Sequence, residues 1–175
     1  MPGVLLNANG EAQAQAAARR LAGEGLVAIY ASPLERAQQT AQAIAAEAGL
    51  PVQPAAEINE VDFGEWTGQD FEQLHAHPQW KPWNRDRSGH PPPGGETLGQ
   101  AQARSLAWVR EAARRHPRAA VAVVCHSDIV KALICAALDL DLDRHGRLEI
   151  SPGSVSVLTA GEGPLRVRTI NEVPR

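Results

Sequence analysis

His126 follows the apolar run Ala119-Ala-Val-Ala-Val-Val124 and Cys125, and precedes the helical pattern Ser127-Asp-Ile-Val-Lys-Ala-Leu-Ile134. An imidazole at that junction projects from the carboxyl end of a strand towards the first backbone N–H groups of a helix, where α/β folds bind anions. Its plain alternative is a core histidine bonded to backbone. Arg36 lies one turn into a second helix, where a cation opposes the helix dipole unless an anion is present. It is therefore either a phosphate ligand or a solvated surface residue. Ser32 opens that helix and is a cap, a site residue, or both. Ile58-Asn-Glu-Val-Asp-Phe-Gly-Glu-Trp66 offers loop carboxylates, and composition alone does not choose among Glu60, Asp62 and Glu65. Guanidinium, imidazole and helix N–H donors in one place are the means by which a protein stabilises the charge of a phosphoryl group in transfer.

The elements that must position these groups follow from periodicity and punctuation. Glu11 to Gly23 reads as a helix with Ala14, Ala17, Ala18 and Leu21 on one face, and Leu26-Val-Ala-Ile-Tyr30 as a strand. Ser32-Pro-Leu-Glu35 has the form of a helix start: serine cap, proline first, glutamate three residues after the cap. That helix stops near Gly49. Pro51 to Ile58 reads as an edge strand, because its prolines would break a central ladder. Residues 59 to 96 hold three of the four tryptophans and Gly89-His-Pro-Pro-Pro-Gly-Gly95. They read as a long loop with one short helix at Phe71 to His75. Long ordered loops in compact domains are commonly functional. Thr97-Leu-Gly-Gln100 caps a further helix with Leu98, Ala101, Ser105, Trp108 and Ala112 facing inward, ending at His116-Pro117. After the strand before His126, read as central and buried on both faces, and its helix, Ser154 to Leu158 and Leu165 to Ile170 read as a hairpin near one edge of the sheet, across the turn 161–164.

With 175 residues, a net charge of -3 and a sequence pI near 6.1, the chain carries no global basic field for nucleic acid or anionic lipid. Its length suits one domain. Cys125 and Cys135 lie in apolar surroundings and read as reduced thiols, which points to the cytoplasm. No apolar run reaches the roughly 18 residues that span a bilayer. His75, His77, His90, His116 and His145 are irregularly spaced and read as mostly solvated, and no Cys/His spacing suggests a metal site. Trp66, Trp80, Trp83, Arg85 and Arg87 fall on the side of the pocket that a lid would form, able to grip a ring or a second anion or simply to pin the loop.

Ser32-Pro-Leu-Glu-Arg-Ala-Gln-Gln-Thr-Ala41, Asn59-Glu-Val-Asp-Phe-Gly-Glu-Trp-Thr-Gly68, Pro93-Gly-Gly-Glu96 and Val123-Val-Cys-His-Ser-Asp128 together resemble the successive motifs of the histidine phosphatase superfamily, the phosphoglycerate-mutase-like clan, in its order over nearly the whole chain. The resemblance implies that Arg36 holds the phosphoryl group, Glu60 protonates the leaving oxygen and His126 helps hold the phosphoryl oxygens. Ser127 stands where the family usually has glycine and keeps the backbone N–H donor. It implies no cofactor and no metal. A neutral Glu60 near pH 7 requires burial or a neighbouring negative charge.

Members of that family open with a central strand ending in Arg-His-Gly, whose histidine is the nucleophile. Here Leu6-Asn-Ala-Asn-Gly-Glu-Ala-Gln-Ala14 resembles the segment that follows it. The expectation is one domain over residues 1–175, N-terminally truncated relative to the family. Its fold is expected to be a three-layer α/β/α sandwich with a mostly parallel sheet and the usual first central strand missing. The parent activity is phosphomonoester hydrolysis through a phosphohistidine, and this chain is expected to be inactive or very weak. One alternative is a non-catalytic phosphoanion-binding protein or subunit. Another is a phosphoglycerate-mutase-like isomerase, although the larger insertions of such enzymes are not evident. The expected partners are a small phosphorylated metabolite and, because a missing strand leaves open edges, a second copy of the chain as a homo-oligomer or strand-swapped dimer.

Overall fold

The computed structural model describes residues 2–161 and 163–175. In chain order the elements are α1 (Ala8–Leu21), β1 (Leu26–Ala31), α2 (Glu35–Ala48), β2 (Val52–Pro54), α3 (Phe71–Ala76), α4 (Trp80–Arg85), α5 (Leu98–Arg115), β3 (Ala120–Val124), α6 (Ser127–Leu138), β4 (Val155–Thr159) and β5 (Arg166–Glu172). Strands β2, β1 and β3 form a parallel sheet in that order, and β4 pairs antiparallel with β5 in a second sheet.

The period of two along β1 and β3 divides the core. Ile29, Ala31, Ala122 and Val124 pack with Ala14 and Ala18 of α1 and Ala41 and Ile44 of α2. Ala28, Tyr30, Val121 and Val123 face Trp108 and Ala112 of α5, with the Tyr30 and Trp108 rings 5.0 Å apart edge to face. A third cluster joins α5 to α6 through Leu98, Ala101, Ile129 and Leu133, and includes Leu158 of β4. Helices thus cover both faces of the parallel sheet, the layered solution for strands apolar on both sides.

Several starts and stops have identifiable causes. Asn7 accepts from Gly10 N–H (2.9 Å) and begins α1. Gly49, at φ 65°, ends α2 in the left-handed region that suits glycine. Thr97 and Gln100 form the reciprocal box at the head of α5, whose buried face is Leu98, Ala101, Ser105, Trp108 and Ala112.

Four expectations need correction. Helix α2 begins at Glu35 with Leu34 as its cap. Ser32 is instead fully buried, because its hydroxyl is drawn into side-chain bonds with Asn59 and His126. The strand before His126 is an edge of the parallel sheet, its residues only partly buried apart from Ala122, and β1 is the central strand. The hairpin β4–β5 is not hydrogen-bonded to that sheet. The 59–96 segment contains two short helices, the second of which starts at Trp80 because the tryptophans pack on one another. Within the hairpin turn, Glu162 lies outside the described residues.

Candidate active site

All three parallel strands deliver their carboxyl ends to one place. Ser32 follows β1, and Arg36 sits at the start of α2. Asn59 and Glu60 follow β2 and a single 3-10 turn at Ala56–Ile58. His126 follows β3, with its backbone at the head of α6. His126 Nδ1 lies 3.2 Å from Arg36 Nη2 and 3.9 Å from Glu60 Oε2, while its Nε2 lies 2.7 Å from Ser32 Oγ. Ser32 Oγ in turn donates to Asn59 Oδ1 at 2.9 Å. The structure therefore brings Arg36, Glu60 and His126 together. Ser127 is exposed at the first position of α6 and does not share their cavity.

The segment carrying Glu60 is held from behind. Arg104 of α5 donates to the backbone carbonyls of Glu57 (2.6 Å) and Glu60 (3.1 Å), and forks onto Glu96 through Nε (3.0 Å) and Nη2 (2.5 Å). Glu96 also accepts from Asp62 N–H at 3.0 Å. A bidentate guanidinium–carboxylate pair fixes orientation as well as charge. The glycines beside it are there for close approach. A Cβ on Gly95 would lie 2.3 Å from Asp62 O, and one on Gly64, at φ 52°, would lie 2.2 Å from Pro93 O.

A cavity of about 750 Å³ opens above Arg36, Asn59 and Glu60, and its far wall is Phe63, Trp66, Trp80, Trp83 and Arg87. The Arg87 guanidinium lies 3.9 Å from the Trp83 ring centre, a cation–π contact. Arg85, expected in the same wall, instead lines a separate depression with His75 and Lys81, because α4 turns it to the opposite side. His145, expected to be solvated, is buried, with ring contacts to Arg87 (3.3 Å) and Leu142 O (3.0 Å).

Burial, and then the negative charge of Asp128, pushes the Glu60 carboxyl up to about 7, against the opposing Val61 N–H bond. A carboxylic acid so placed keeps its proton near neutrality and can give it to a leaving oxygen. Burial, and then the Arg36 charge, lowers His126 to about 3, so the ring is neutral. Burial pushes the Cys125 thiol up to about 12, which leaves it un-ionised. Asn59 and Arg104 carry no signal of their own in the sequence. Asn59 is adjacent to Glu60, but Arg104 reaches the site only through contacts 44 and 47 residues away in the chain.

A strand-end arginine, a carboxyl raised towards neutrality and an imidazole thus meet beside a cavity that residues of α3 and α4 help to wall. The chain belongs to the histidine phosphatase superfamily (branch 1), whose profile matches residues 1–173. It is 32% identical over 155 residues to phosphoserine phosphatase 1 of Hydrogenobacter thermophilus, an alignment covering 87% of this chain and 74% of that protein. A 2,3-bisphosphoglycerate-dependent phosphoglycerate mutase of a Methylobacterium strain is 34% identical over 154 residues, covering 82% of this chain and 74% of the mutase. A bifunctional protein of Mycobacterium tuberculosis is 34% identical over 171 residues, covering 95% of this chain, which spans only 47% of that protein. Among solved structures, a mycobacterial glucosyl-3-phosphoglycerate phosphatase in complex with VO3 superposes with a TM-score of 0.86 at 28% identity, covering 98% of this chain and 90% of that one.

Proposed function

We propose that this chain binds a small phosphomonoester and belongs to a hydrolytic lineage. In this reading Arg36 holds the phosphoryl oxygens, His126 stands beside them and Glu60 gives its proton to the leaving oxygen, while Ser127, outside the cavity, takes no part. The observation that carries the reading is the pairing of Arg36 with a Glu60 carboxyl raised to about 7 in one cavity, with His126 packed directly against both. The likeness to a phosphoserine phosphatase and to a glucosyl-3-phosphoglycerate phosphatase supports hydrolysis, and the phosphoglycerate mutases among the relatives keep isomerisation as the alternative.

A phosphohistidine route needs an imidazole that attacks in line, and no histidine lines the cavity among the described residues. His126 is committed to Ser32 and Arg36. We therefore propose that the chain binds phosphate with little turnover, which is the non-catalytic phosphoanion-binding reading. Strands β3 and β4 lie in two separate sheets, and each strand has one unpaired side among the described residues. Unpaired edges invite another strand, so self-association through them is expected.

The test is the turnover of a generic aryl phosphate together with sedimentation at rising protein concentration. Negligible turnover and a rising average mass are the expected results. Brisk turnover by the unaltered chain would overturn the low-turnover proposal, and a monomer at every concentration would remove the edge-pairing proposal.

A further inference from the structure

The Ser32 hydroxyl has one proton and two lone pairs, and three groups contact it. Its proton goes to Asn59 Oδ1 (2.9 Å), and the Leu34 N–H donates to one lone pair (3.3 Å). The remaining contact, His126 Nε2 at 2.7 Å, can then only be an N–H donating to the other lone pair. The opposite ring nitrogen gives the same answer independently. Arg36 Nη2 is a donor with no acceptor capacity, so His126 Nδ1, 3.2 Å away, must present a bare lone pair. Turning the Asn59 amide over would make Asn59 the donor and push the Ser32 proton onto Nε2. The ring proton would then sit on Nδ1, against Arg36, so the two ends of the relay agree in one arrangement only.

We propose that Ser32 and Asn59 are positioning residues that lock His126 as its Nε2–H tautomer, with its Nδ1 lone pair facing Arg36, so that His126 meets the site as a proton acceptor and not as a fixed cation. Neither residue touches the cavity through a charge of its own, and both act through His126. The groups facing the ring are Arg36 from α2, Glu60 from the segment after β2, Arg104 from α5 and Ser32 after β1. On the phosphoryl-binding reading above, an anion oxygen brought against Nδ1 has to arrive with a proton or take one up.

Nitrogen NMR of the full chain with ¹⁵N-labelled histidine, without ligand, reads the tautomer directly. The expected spectrum at pH 7 has His126 Nε2 pyrrole-like and Nδ1 pyridine-like, with no imidazolium on lowering the pH to 5. Ser32→Thr, which keeps the hydroxyl, should retain that pattern. Ser32→Ala should mix the two tautomers, and Asn59→Ala should do so more weakly. An Nδ1–H tautomer or an imidazolium in the unaltered chain would overturn the proposal even if neither variant folded. So would an unchanged pattern in a folded Ser32→Ala. Because no phosphate is added, failure here is separate from failure of the phosphoryl-binding reading, which is judged by anion binding.

Discussion

Glu60→Gln is the perturbation whose size the structure fixes best. The native carboxyl ionises near pH 7 and the unfolded one near the ordinary 4.5, because burial disfavours the charge. At roughly 1.4 kcal/mol per tenfold change, that difference corresponds to about 3 kcal/mol. Between these two pH values the native state keeps a proton that the unfolded state has lost. Stability therefore falls as pH rises through this window and stays lower above it. Glutamine resembles the protonated acid and cannot ionise, so the variant lacks this fall. His126 contributes with the opposite sign: with its native value depressed to about 3, stability is lost as pH drops below about 6.5. That contribution is common to both proteins and cancels in their difference. Thermal or urea unfolding of the pair from pH 4.5 to 8 is the assay. Relative to pH 4.5, Glu60→Gln should gain up to about 3 kcal/mol over the parent by pH 8, or about 6 to 12 °C in Tm for a domain of this size. Parallel stability curves would refute the argument that Glu60 is a buried, neutral acid.

Trp83→Ala should cost about 3 kcal/mol, read by urea unfolding, because the buried ring packs on Phe63, Trp66 and Trp80 and carries Arg87 on its face. A neutral result would mean that the lid is not anchored to the core through this residue. Gly95→Ala should cost roughly 1 to 3 kcal/mol, since its Cβ meets the Asp62 carbonyl. The same substitution should also weaken phosphate binding, by shifting the segment that carries Glu60. Wild-type stability together with wild-type binding would show that residues 62–64 and 93–95 need not touch.

Much of the fold was legible because local chemistry and packing agreed. The inward face of α5 is the one its 3.6-residue period marks, and Thr97 caps it as its spacing suggests. The proline-bearing strand is at a sheet edge, though it spans only Val52–Pro54 of the expected 51–58 and gives way to a 3-10 turn at Ala56–Ile58. What stayed hidden was decided at long range. Ser32 looked like a helix cap because caps are local, whereas its hydroxyl is claimed by Asn59 and by His126, which is 94 residues away. The position of β3 at an edge could not be read from an apolar run, since that pattern does not say how many neighbours a strand has. Likewise, the two-residue gap between Arg85 and Arg87 gives no hint that one joins the cavity and the other a separate depression. Arg104, which braces the Glu60 segment, sits in no motif at all.

Arg36 and Glu60, backed by His126, are proposed to form a phosphoryl-binding floor. Calorimetric titration of the chain with inorganic phosphate at pH 7, alongside Arg36→Ala, tests it most directly. One charge-assisted contact is worth roughly 1.5 to 3 kcal/mol. The account predicts one site per chain, weakened about 10- to 150-fold in Arg36→Ala with the thermal unfolding of the variant little changed. No binding by the unaltered chain, or equal binding by a folded Arg36→Ala, would contradict it.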